Sequence, residues 1–176
     1  MKMPQHADIP SDPIVFLHLN EGMVTSQKVV ISTVLGSCVA VTFYHRPSKL
    51  SGIFHASLPS KKNFHSVSNQ EDDSTYRYVD SAIEAILKQF LSHGIGMNQI
   101  EAKLFGGAYS MEEKVKSMPD VRRQVDVGRQ NVEVAQKTLA EHHLPTQAED
   151  ILGRHGRRIL FSTATGDVWR NILGRS

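Results

Sequence analysis

The residue in this chain best suited to covalent chemistry is Cys38, its single cysteine. A lone thiol can close no intramolecular disulfide and build no cysteine-rich zinc site, which leaves packing, redox sensing or nucleophilic attack. It follows Leu35-Gly36-Ser37, a small-residue break between two strand-like runs. Glycine lets the backbone turn sharply and another group come close. Backbone N–H groups bared by such a turn, around Gly36 and Ser37, are the donors an oxyanion needs. The bland alternative is an inert cysteine packed beside Val39, Val41 and Phe43.

His55 is the companion that would make the thiol reactive. It stands 17 positions after the cysteine, on GIFHASL. Strand alternation there sets His55 with Ile53 and Ser57, opposite Phe54, Ala56 and Leu58. An imidazole titrating near about 6.5 can take a thiol proton and later give it to a leaving amine. The chain has nine histidines, however, so one on a strand is unsurprising. The residues alone leave catalysis and packing both open. His45, His55 and His65 match no zinc spacing, and the adjacent His142 and His143 diverge on a helix. Trp169 reads as a core or hairpin-packing residue. No G-x-G-x-x-G or Walker lysine loop is present, so there is no nucleotide argument. Neither a metal nor an organic cofactor is expected.

The elements that must position these residues read as follows. The N-terminal residues 1–13 carry three prolines and suggest a flexible arm, leaving 14–176 as a single domain. PIVFLHL (13–19), KVVISTVL (28–35), CVAVTFY (38–44) and GIFHASL (52–58) are rich in β-branched and aromatic residues, as strands are. Residues 60–75 are polar and aperiodic, a long loop. From Tyr76 to His93 the stripe Val79, Ala82, Ile83, Ile86, Leu87, Phe90, Leu91 predicts a helix, capped by Ser74 or Thr75 and closed by Gly94. AKLF (102–105) reads as a buried strand running into Gly106-Gly107, a structural turn. A short helix is expected at 111–118, and a second main helix from near Gly128 with Val132, Ala135 and Leu139 on one face. Thr165-Gly166 joins RRILFSTA and DVWRNIL as a hairpin. This order predicts an α+β fold, a layered α/β sandwich with a mixed β-sheet and two main helices.

Composition excludes several function classes. Lysine plus arginine number 20 against 18 aspartate plus glutamate, a balance too neutral to argue for nucleic acid or an anionic membrane. Arg154, Arg157 and Arg158 nonetheless cluster near the end, and Glu71, Asp72 and Asp73 form an acidic run. The N-terminus lacks the apolar core of a signal peptide, and no stretch approaches the about 20 apolar residues of a membrane-spanning helix. The expectation is a cytoplasmic protein without membrane insertion, its thiol kept reduced.

The run STVLGSCVAV, then GIFHASLP, YVDSAIEAIL, KLFGGA, VGRQNVEVAQKTL and GRRILFSTATGDV, resembles the chemoreceptor glutamine deamidase (CheD) family across about residues 14–173. The resemblance implies a fold similar to the cytotoxic necrotizing factor-like cysteine hydrolases and a Cys–His–Thr triad. It assigns Cys38 as nucleophile and His55 as base. The third member falls six residues before the cysteine, at Ser32 rather than a threonine. Thr33 is adjacent but points to the opposite face of a strand. Two departures from the family pattern are the displaced arginine in Gly128-Arg129-Gln130-Asn131 and the segment HASLP after the base. The implied activity is deamidation of receptor glutamines to glutamate. The implied partners are chemoreceptor cytoplasmic helices and a chemotaxis phosphatase of the CheC type. A rival reading is a catalytically silent adaptor of the same fold. A thiol redox sensor ranks last, since its resolving partner would have to be external.

Overall fold

The computed structural model describes residues 11–61, 75–109 and 127–174. Most of the N-terminal arm, most of the polar loop and the short helix expected at 111–118 lie outside these residues. Nine strands and two α-helices are described. In chain order these are β1 (Ile14–Phe16), β2 (Gly22–Thr25), β3 (Val30–Leu35), β4 (Val39–His45), β5 (Leu50–Phe54), α1 (Val79–Ser92), β6 (Glu101–Gly106), α2 (Val127–Glu141), β7 (Thr146–Ile151), β8 (Arg157–Ser162) and β9 (Val168–Ile172). A short 3-10 turn, Met97–Gln99, leads into β6.

The strands form two mixed sheets, one of four strands in the order β1-β3-β8-β9 and one of five in the order β2-β5-β4-β6-β7. β1 with β3 and β6 with β7 are parallel, and the remaining pairs are antiparallel. Alternation along β4 divides its apolar side chains between two cores. Val39, Val41 and Phe43 join Phe54 and Ala56 against the stripes of α1 and α2. Ala40 and Tyr44 join Ile53 and Phe105 against Ile31, Leu35, Ile159 and Phe161 of the four-stranded sheet. The molecule is thus a three-layer α+β sandwich of helices, five-stranded sheet and four-stranded sheet, in line with the expected class.

Both main helices form where apolar periodicity places them. α1 buries Val79, Ala82, Ile83, Ile86, Leu87 and Phe90. Leu91 departs from the expected stripe and is 54% exposed. Tyr78, rather than Ser74 or Thr75, is the N-cap residue, and it makes no side-chain cap. The other end closes as the sequence predicts. Gly94 takes φ +74°, its N–H donates to Leu91 O, and Ile95 N–H reaches back to Phe90 O. That pairing is a Schellman closure with its apolar contact between Phe90 and Ile95. α2 buries Val132, Ala135 and Leu139 together with the polar Asn131 and Thr138. β8 and β9 pair as the expected hairpin.

Two features stand out. Thr146–Ile151 is a strand where none was expected, running parallel to β6 at the sheet edge. Arg157, one of the arginines clustered near the end of the sequence, is buried at 2% exposure. Its guanidinium donates to the Asp150 carboxylate, the Asp150 carbonyl and the Leu152 carbonyl, so it ties the end of β7 to β8 across the two sheets.

Candidate active site

Cys38 is half-buried, in the turn that carries the chain from β3 in one sheet to β4 in the other. The turn is anchored by backbone contacts. Gly107 N–H donates to Cys38 O at 2.8 Å, and Ala108 N–H donates to Gly36 O at 2.9 Å. Those donors come from the Gly-Gly turn that ends β6. A Cβ on Gly106, at φ +110°, would stand 2.2 Å from Cys38 O, so the close approach there requires glycine. Gly36 behaves otherwise than expected. It adopts no positive φ, and a Cβ there would meet nothing within 4 Å. Glycine is sterically required on the supporting turn rather than at Gly36.

His55 follows β5 on a backbone held from both sides. Its N–H donates to Glu21 O at 2.8 Å and its carbonyl accepts from Asn20 N–H at 2.8 Å, while the next residue, Ala56, bridges Val39. Thr42 pairs with Ile53, and Val39 with Ala56, in one antiparallel register. The same register sets Cys38 opposite Ser57 and diagonal to His55. Cys38 and His55 therefore share a face, that of Ala40 and Ile53, turned toward the four-stranded sheet. Diagonal neighbours of this kind lie about 7–8 Å apart at their Cα atoms, within reach of long side chains.

The imidazole is held by Thr33. Thr33 Oγ1 lies 2.8 Å from His55 Nδ1 and donates to Leu17 O at 2.8 Å. A hydroxyl has one hydrogen to give. With that hydrogen on Leu17 O, Thr33 accepts from His55, so Nδ1 carries the imidazole proton and Nε2 keeps its lone pair. The expectation that Ser32 would face the imidazole is corrected here. Thr33 shares its side of β3 with Ile31 and Leu35, which pack against the five-stranded sheet, whereas Ser32 shares the other side with Val34, 45% exposed. Alternation separates Ser32 and Thr33 as expected, but the inward face belongs to Thr33.

Burial disfavours the charged form of both Cys38 and His55. Burial raises the Cys38 thiol above its ordinary pKa, opposed by its own backbone N–H. Burial lowers His55 to about 4, against an opposite pull from the Glu21 carboxylate. At neutral pH the pair is a thiol and a neutral imidazole whose free nitrogen is a base. A cavity of about 260 Å³ opens beside His55 and Thr33. Its lining includes Phe16, Leu19 and Val34, which are 65%, 54% and 45% exposed.

One residue of the site is marked in the sequence only as the end of Gly128-Arg129-Gln130-Asn131, with no role attached. Asn131 of α2 is fully buried, and its Nδ2 donates to Ser37 O at 3.0 Å and Ser57 O at 3.1 Å. It joins the turn before Cys38 to the strand end after His55. Among the described residues, no group of three or more histidine, cysteine, aspartate or glutamate side chains could hold a metal ion. No helix of the described residues is long and apolar enough to cross a membrane.

The family model for CheD chemotactic sensory transduction matches residues 57–171. The probable chemoreceptor glutamine deamidase CheD of Oleidesulfovibrio alaskensis is 44% identical over 164 residues, 93% of this chain and 74% of the relative. The probable chemoreceptor glutamine deamidase CheD 2 of Geobacter sulfurreducens is 37% identical over 95% of this chain and 94% of its own length. An archaeal relative of the same description, from Pyrococcus abyssi, is 37% identical over 82% of this chain and 83% of its own length. A looser likeness is to the crystal structure of the Bacillus licheniformis hypothetical protein YfiH, with a TM-score of 0.44 and 16% identity over 73% of this chain and 49% of that one.

Proposed function

This chain belongs to the CheD family, and from that premise we propose that it is a cysteine-dependent glutamine deamidase acting on cytoplasmic helices of chemoreceptors. The observation that carries the reading is the Thr33–His55 contact, which leaves Nε2 as a base on the sheet face that also bears Cys38. His55 Nε2 takes the Cys38 proton as sulfur attacks the side-chain carbonyl carbon of a glutamine. Backbone N–H groups of the turn stabilise the oxyanion. The protonated imidazole then gives its proton to the departing nitrogen, and ammonia leaves behind a thioester on Cys38. His55 next takes a proton from water as the hydroxide adds to the thioester carbon; the C–S bond then breaks to release glutamate, and the imidazolium returns its proton to the Cys38 sulfur. Thr33 keeps the ring in the tautomer that both halves require. No step calls for a metal or an organic cofactor.

The exposed apolar side chains of Phe16, Leu19 and Val34 beside His55 suit a protein substrate, since exposed apolar surface grouped at a site favours macromolecular contact. The test uses receptor cytoplasmic fragments and intact-peptide mass spectrometry. Glutamine should gain the mass difference between a carboxamide and a carboxylic acid, and Cys38→Ala should abolish that gain. Equal spectra from wild type and Cys38→Ala would remove the enzymatic reading.

One observation favours a second reading, a silent adaptor that binds a receptor or a chemotaxis phosphatase of the CheC type. Burial holds the Cys38 thiol toward its protonated form. An adaptor would keep its effect on phosphatase activity in Cys38→Ala and show no deamidation in either protein. The two readings therefore separate on one pair of samples.

A further inference from the structure

The three carbonyls of the nucleophile turn are all held from outside it. Gly36 O and Cys38 O accept backbone N–H groups from Ala108 and Gly107. The middle one, Ser37 O, depends on a side chain, the amide of Asn131 at 3.0 Å. The second hydrogen of that amide goes to Ser57 O at 3.1 Å, so both donors are engaged at the site. Asn131 is fully buried, and its Oδ1 has no partner among the described residues. A buried acceptor left unpaired is unfavourable, so packing alone is a poor reason for asparagine here.

A peptide unit is planar and trans, which points its carbonyl and its N–H in opposite directions. Holding Ser37 O toward α2 therefore turns the Cys38 N–H away from α2, toward the face that bears the thiol and His55. Among the described residues, no carbonyl or side-chain oxygen accepts from the N–H of Ser37 or of Cys38. The turn thus has its acceptors fixed, while the Cys38 N–H lies beside its own sulfur and no oxygen holds it.

We propose that Asn131 is the positioning residue of the oxyanion site, aiming the Cys38 N–H at the point where the glutamine carbonyl oxygen gains negative charge. The proposal rests on glutamine deamidation by Cys38. Asn131 touches no reacting atom and acts through the Ser37–Cys38 peptide.

The test compares two reactions of the same sulfur. Alkylation of Cys38 by iodoacetamide displaces iodide and forms no oxyanion, whereas deamidation does. In Asn131→Ala, kcat on a receptor fragment should fall by about 10²–10³-fold, the loss typical of a missing oxyanion donor. KM and the alkylation rate should move only a few-fold. Asn131→Asp, which keeps the shape and removes the NH₂ donors, should show the same split. Deamidation and alkylation falling together, or an unaltered kcat, overturns the proposal. A third measurement needs no variant. A receptor peptide bearing an aldehyde in place of the glutamine carboxamide should form a hemithioacetal with wild-type Cys38 and shift the Cys38 amide resonance downfield. An unmoved resonance in that adduct also overturns the proposal. A wild-type protein that forms the adduct but deamidates no receptor fragment instead counts against the function beneath it.

Discussion

On the helix side of the five-stranded sheet, Val39, Val41, Phe43, Phe54 and Ala56 meet the apolar stripes of α1 and α2. On its other side, Ala40, Tyr44 and Ile53 share the space between the sheets with Thr33, His55 and the half-buried Cys38. The first face is built to exclude water. The second accepts the cost of burying an imidazole and a hydroxyl, and satisfies both through one chain of hydrogen bonds ending on Leu17 O. The difference separates stability from chemistry within a single strand, residue by alternate residue. Asn131 is the exception that joins them, since it sits on α2 but holds the turn that carries Cys38.

The sharpest way to break this comparison is to damage the helix face and look for a catalytic effect. Phe90 is fully buried in α1 and packs against Phe43 with ring centroids 6.4 Å apart. Phe90→Ala should lower unfolding free energy by about 3–5 kcal/mol, the usual range for an aromatic cavity, as read from urea melts. Activity per folded molecule should remain near wild type. A kcat loss in the folded fraction would mean that the two faces are not separate.

A smaller expected effect tests the inner face itself. Thr33→Val removes the oxygen that fixes the His55 tautomer and should lower kcat by about 10²-fold, at the low end of what a general base contributes. Ser32→Ala changes a buried hydroxyl on the other side of the same strand, away from the imidazole, and should leave kcat near wild type. The reverse ranking, with Ser32 the more sensitive, would restore the assignment that the family spacing implied.

That assignment shows how legible the site was. Alternation separated Ser32 from Thr33, but choosing the inward one needed the parity of Ile31 and Leu35, a signal present in the sequence. Cys38 and His55 could be picked out because a lone thiol and a strand histidine are chemically conspicuous. Asn131 was visible only as the end of the run Gly128-Arg129-Gln130-Asn131, and its role could not be read because its partners lie 94 and 74 residues away. In the fold, α1 and α2 were legible because each must bury a stripe at helical period. Strand β7 was not, because Thr146–Ile151 lies at a sheet edge and only half-buries its side chains, so no apolar run betrays it.

The smallest effect separates the faces by pH. The helix-side apolar contacts carry no titratable group, whereas His55 is 6% exposed with its pKa lowered from 6.5 to about 4. Above pH 6.5 the ring is neutral folded or unfolded, and stability does not depend on it. Between 6.5 and about 4 the unfolded chain binds a proton that the folded protein refuses, so stability falls as the solution is acidified. At 1.36 kcal/mol per pH unit, the loss by pH 5 is about 2 kcal/mol. His55→Gln should remove that component of the slope in urea melts taken from pH 7 to pH 5. An unchanged slope would show that acid acts elsewhere. In the active enzyme the same burial should carry the acid limb of kcat/KM down toward pH 4, because the base stays unprotonated until then. A limb that remained near 6.5 would mean that the imidazole is wet when substrate arrives, and that the space between the sheets opens before the chemistry begins.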